Sequence, residues 1–66
     1  MTVVLNGKAT DARGAKTIEE LITSLDLSPQ TILIEHNGLA LRRREWLGRE
    51  LKAGDRIELV RVVAGG

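Results

Sequence analysis

The spacing of apolar residues changes along the chain, from alternation to a three-to-four-residue repeat and back, and the changes lay out the elements. Thr2-Val3-Val4-Leu5 is a short β-rich run that stops at Asn6-Gly7. Asn-Gly between strand-like segments is the strongest short-range hairpin signal. Lys8 to Ala12 is then the returning strand, polar enough for a sheet edge, and Gly14 punctuates its exit. Ile18, Leu21, Ile22 and Leu25 recur at helical spacing and form one apolar stripe, with Thr23 and Ser24 off it. Thr17, followed three residues later by Glu20, is a capping box that opens this helix. Ser28, placed before Pro29, is biased away from helical geometry, so the helix is predicted over Ile18 to Leu25.

Alternation resumes at Thr31 to His36, with Ile32 and Ile34 on one face. Asn37-Gly38 makes a second turn, Leu39-Ala40-Leu41 is a short extended piece, and Arg43 to Leu47 suits one helical turn. Leu51 to Asp55 reads as a turn into a last strand, Asp55 to Val63, with Gly54 free to take a positive φ. In that strand Ile57 and Leu59 share one face, while Glu58, Val60 and Val62 share the other. The order ββαβ(β)β, drawn into one sheet with the helix across one face, is an α+β roll. Its helix stripe is expected to bury against Val3, Leu5, Ile32, Ile34, Ile57 and Leu59. Val60, Val62 and Val4 then point away from the core, and together they form a candidate partner-binding patch.

Composition narrows the function more than the fold. The chain has 66 residues, no cysteine and a single aromatic, Trp46. It therefore has no disulfide, no thiolate nucleophile and no cysteine metal site, and it must fold as one domain on apolar packing alone. Ten basic and nine acidic residues leave a net charge of +1, which offers nothing to a nucleic-acid backbone, and one aromatic makes no base-stacking platform. No apolar run reaches the roughly 18 residues of a membrane span, so a cytoplasmic protein is expected. Arg42-Arg43-Arg44, beside Glu45, is the one basic cluster and reads as a solvated loop.

Side-chain chemistry is scarce. His36 is the only histidine and shares strand parity with Ile32 and Ile34, which makes it a sheet-end residue rather than a ligand or base. Ser24 and Ser28 have no nucleophile elbow, and the carboxylates show no acid-base pairing. The glycines match neither a dinucleotide fingerprint nor a P-loop. No catalytic residue and no metal ligand is expected. What remains is the terminus, Val63-Ala64-Gly65-Gly66, where a hydrophobic strand passes directly into two glycines. Side-chain-free Gly65 and Gly66, with small Ala64, can thread a narrow channel. Extended, Val63 to Gly66 reaches roughly 13 Å. The Gly66 carboxylate is ionised at neutral pH and a poor electrophile, so any chemistry there needs a separate ATP-using enzyme.

Over Val3 to Gly66 the chain resembles the β-grasp, ubiquitin-like sulfur carrier proteins of thiamin biosynthesis. The residues that carry the resemblance are Asn6-Gly7, Thr17-Ile18-Glu19-Glu20-Leu21, Asn37-Gly38, Arg44-Glu45-Trp46, Leu51 to Leu59 and terminal Gly65-Gly66. The chain departs from the family at Arg42-Arg43, where a proline is frequent, and at His36, where an aliphatic residue is common. The resemblance implies a mixed sheet of four to five strands with one main helix, residues 64–66 forming a flexible tail. It also implies that a ubiquitin-activating-like adenylyltransferase, using ATP and Mg²⁺, adenylates Gly66. A persulfide donor then converts it to a thiocarboxylate, and thiazole synthase takes the sulfur, with Val60 and Val62 helping both partners recognise the body. The chain itself would bind no cofactor. Three other readings share some of these features: a molybdopterin synthase small-subunit-like carrier, a protein modifier joined to lysines, and a binding module with an incidental Gly-Gly.

Overall fold

The computed structural model describes residues 1–62. Thr2–Leu5 (β1) and Lys8–Asp11 (β2) form the expected hairpin, with Val3 opposite Thr10. Asn6 and Gly7 both take positive φ, 48° and 81°, the geometry of a type I′ turn whose twist matches the strands it joins. Asn37 and Gly38 repeat it at 51° and 86°, joining Ile32–His36 (β3) to Leu39–Leu41 (β4). The last strand is Arg56–Arg61 (β5).

The helix, Ile18–Ser24 (α1), starts where the capping pattern places it. The Glu20 amide donates to Thr17 Oγ1 at 3.1 Å, but the Glu20 carboxylate accepts from the Lys16 amide rather than from Thr17. The helix ends one residue earlier than predicted, and the cause is local. Asp26 adopts φ 57°, and the Asp26 and Leu27 amides donate to the Thr23 and Ile22 carbonyls. That is a Schellman closure with aspartate where glycine is usual. Pro29 then begins a 3₁₀ turn, Pro29–Thr31, which delays β3 to Ile32.

The sheet order is β2-β1-β5-β3-β4, with β1 and β5 parallel and the other neighbours antiparallel. This is the expected mixed roll with one helix on one face. Ile18, Leu21 and Ile22 of α1 bury against Val3, Ile32, Ile34 and Ile57. Three of the expected core positions, Leu5, Leu25 and Leu59, are only partly buried. A seven-residue helix is roughly 10 Å long and covers about three residues of each strand, so strand ends project beyond it. The other end of the core is closed by loop residues that strand and helix periodicity does not reveal: Ala12, Ala15, Leu51 and, above all, Trp46, which is 1% exposed.

Candidate functional site

The C-terminal strand sits in the middle of the sheet, and both Asn-Gly turns reach into it. β1 stops at Leu5, so the Leu59 amide has no strand neighbour on that side, and Asn6 Oδ1 accepts it at 2.7 Å. On the other side Asn37 Oδ1 accepts the Arg56 amide at 2.8 Å, and the Asn37 amide donates to the Arg56 carbonyl at 2.8 Å. The end of the Pro29–Thr31 turn, just before β3, extends the grip to the last described residue, where the Val62 amide donates to the Thr31 carbonyl at 2.6 Å. The segment that leads to the C-terminus therefore leaves from a base fixed by four elements. Gly66, Gly65 and Ala64 lie outside the described residues.

The sheet face turned away from α1 carries the partner-patch residues. Val60 is 57% and Val62 45% exposed. Val4 lies on the same face but is not part of the same patch. It pairs with Arg56, four residues down β5 from Val60, which is roughly 13 Å of strand. It is also half-buried between β2 and β5. The neighbour of Val60 is instead Leu33, directly opposite on β3 and 61% exposed. Leu33 is absent from the sequence-derived patch, although a signal for it exists. It has the parity of Glu35, so Ile32 and Ile34 facing inward forces Leu33 outward.

His36 is 4% exposed and belongs to a polar network at the far end of β5. Arg49 Nε can only donate, and it lies 2.9 Å from His36 Nδ1. The ring proton is therefore on Nε2, which donates to Asp55 Oδ2 at 2.7 Å. Asp55 also accepts the Lys52 amide at 2.8 Å and Asn37 Nδ2 at 3.2 Å. Burial pushes the Asp55 carboxyl up, but these donors outweigh it and hold the group below the usual carboxylate range. The network ties the turn before β5 to the end of β3. Both ring nitrogens are thereby engaged within the fold, and His36 stands at the end of β3 with its side chain inward, as its parity with Ile32 and Ile34 predicts.

The basic cluster is exposed, as expected, and within it Arg43 is also engaged with the fold. Its guanidinium makes two hydrogen bonds to Glu19, at 2.8 and 3.2 Å, and lies 4.8 Å from the Trp46 ring centre. It ties the 3₁₀ turn Arg43–Glu45 to α1. Among the described residues no three His, Asp or Glu side chains gather as a metal cluster, and no helix is long and apolar enough to cross a membrane.

A mixed five-stranded sheet curled around one helix, with the C-terminal strand at its centre, is the β-grasp arrangement of ubiquitin-like proteins. The particular branch is settled by comparison: the chain belongs to the ThiS family, whose model matches residues 3–66. The fold is similar over the whole chain to the crystal structure of a thiamine biosynthesis protein (ThiS) from Geobacter metallireducens. That match has a TM-score of 0.82 and 29% identity, and covers 100% of both chains. A solution structure from the same organism matches at TM-score 0.79 and 29% identity, over 100% of this chain and 88% of that one. A thiazole synthase from Magnetococcus marinus is 30% identical over 66 residues, and this chain spans 20% of its length.

Proposed function

We propose that the protein is a sulfur carrier for thiamin biosynthesis and that Gly66 is the group it carries sulfur on. The observation that supports this best is the placement of β5: a central strand, fixed on both sides, leads toward Gly66 from beside the exposed Leu33–Val60–Val62 patch. The match to the ThiS family runs through Gly66 as well.

The chemistry belongs to the terminus and to its partners. An adenylyltransferase of the ubiquitin-activating type binds ATP and Mg²⁺, and a Gly66 carboxylate oxygen attacks the α-phosphorus. Pyrophosphate leaves and an acyl adenylate forms. The terminal sulfur of a persulfide donor then displaces AMP. A thiol cleaves the resulting acyl disulfide, leaving a thiocarboxylate on Gly66 and a disulfide on the donor side. The charged thiocarboxylate is a good nucleophile and delivers its sulfur to the thiazole precursor on thiazole synthase. Gly65 and Ala64 admit the tail to both active sites, because neither carries a side chain larger than a methyl group. Val60 and Val62 contribute to recognition by both partners, as does Leu33. The same chemistry on another acceptor, as in molybdopterin synthase, would differ in the enzyme that consumes the sulfur and not in the activation.

The test is the mass of the C-terminal fragment after incubation with ATP, an adenylyltransferase and a persulfide source. Exchange of one oxygen for sulfur at Gly66 is expected. Because the chain has no cysteine, a thiol-directed alkylating reagent should label only that thiocarboxylate. Deleting Gly66 should abolish labelling while leaving the melting temperature unchanged. Unlabelled wild-type protein across several activating enzymes would sink the reading and favour a binding module with an incidental tail.

A further inference from the structure

Next to the Leu33–Val60 pair, β3 and β5 place two carboxylates directly opposite each other: Glu35 faces Glu58 on the outward side of the sheet. The Asn37–Arg56 and Thr31–Val62 bonds set the phase of the ladder. Glu35–Glu58 and Leu33–Val60 are therefore both hydrogen-bonded pairs, with Cα atoms about 5.5 Å apart. Like charges so placed destabilise a sheet. Both residues are exposed, and among the described residues neither carboxylate is in an ion pair, the two ion pairs found being His36–Asp55 and Arg43–Glu19. Arg56, diagonal to Glu35 on the same face, makes no ion pair with either.

We infer that this face is an arginine-receiving docking surface. A partner's guanidinium would lie between Glu35 and Glu58, while apolar side chains beside it cover Leu33, Val60 and Val62. Two carboxylates at this separation, on one rigid pair of strands, suit a planar fork that offers donors on two edges better than they suit a compact ammonium. The exposed large apolar residues of this face, Leu33, Val60 and Val62, lie on one side of the pair, toward the C-terminal end of β5, whereas Val4 on the other side is half-buried. The docked arginine therefore fixes which way the partner lies, with its active site on the side of the tail. The occupant is thiazole synthase, because a segment of one such enzyme is similar to this entire chain. This assignment rests on the carrier reading.

The measurement is the affinity of the full-length chain for its cognate thiazole synthase, by calorimetry at low and raised salt. The variants are Glu35→Gln/Glu58→Gln together and Glu58→Lys alone. Relieving the repulsion leaves the melting temperature of the free carrier unchanged or raises it, and in Glu58→Lys the introduced ammonium faces the opposite charge of Glu35 across the strands. Binding moves the other way: the double variant loses about tenfold or more, Glu58→Lys loses more still, and the salt dependence of the double variant flattens. Affinities within twofold of wild type for both variants would overturn the arginine assignment while the carrier reading stands. A wild-type chain that fails to bind thiazole synthase at all would overturn both.

Discussion

Asn6 offers a sharp test of how the tail's base is held, because one side chain does two separable things there. It occupies φ 48° in the first turn, and its Oδ1 accepts the Leu59 amide at 2.7 Å. Asn6→Gly keeps the turn geometry without strain, removes the hydrogen bond and adds some backbone freedom to the unfolded chain. A bond of this kind is worth about 1 kcal/mol net, and the site is exposed enough for water to replace part of it. Asn6→Ala loses the same bond and also puts a residue that disfavours left-handed geometry at a positive φ, adding about 1 kcal/mol. The expected ladder is wild type, then Gly lower by about 1 kcal/mol, then Ala lower by about 2 kcal/mol. In a domain this small, about 2 kcal/mol corresponds to roughly 10 °C in Tm. The assay is denaturant unfolding followed by Trp46 fluorescence, a probe that is unique in the chain and 1% exposed. Amide exchange at Leu59 should speed up in both variants. If Ala were no worse than Gly, the strain at the positive φ would be no larger than the unfolded-state entropy that glycine adds. If both matched wild type, the contact between Asn6 and β5 would contribute nothing.

Three other outcomes follow from the same geometry. Trp46→Ala should cost about 3–5 kcal/mol, enough to unfold much of a domain of this size, which far-UV circular dichroism would show directly. Asp55→Asn should lower stability at neutral pH by about 1–3 kcal/mol, since three donors lose a charged acceptor. The Asp55 carboxyl is held below its unfolded-state value, so its contribution is fully present above the usual carboxylate range and is lost as pH falls through the folded value. The gap between wild type and Asp55→Asn in acid titrations should therefore close only in strong acid, and a gap already closed at pH 5 would contradict the network. Val60→Asp should leave folding within about 1 kcal/mol of wild type, because Val60 is 57% exposed, yet weaken capture by thiazole synthase. Unchanged capture would remove Val60 from the docking face.

Most of the fold was legible because its signals are local. Each Asn-Gly pair carries its own turn geometry, Thr17 and Glu20 start the helix, and alternation in Arg56–Arg61 decides which side chains face inward. The absence of cysteine, the balanced charge and the Gly65-Gly66 ending are also properties of the sequence alone, and they confined the functional reading to the terminus. The rest depended on which strands meet. Val4, Val60 and Val62 share a face by parity, but only the parallel register of β1 with β5 separates Val4 from the others. Likewise, only the antiparallel register of β3 with β5 puts Leu33 against Val60 and Glu35 against Glu58. Trp46 and the His36–Asp55 contact lie in the same category, since 19 residues separate the two members of that pair. A side chain's direction is set by the backbone of its own few residues. Its neighbour across the sheet is set by chain closure over dozens, and that is a property of the folded whole.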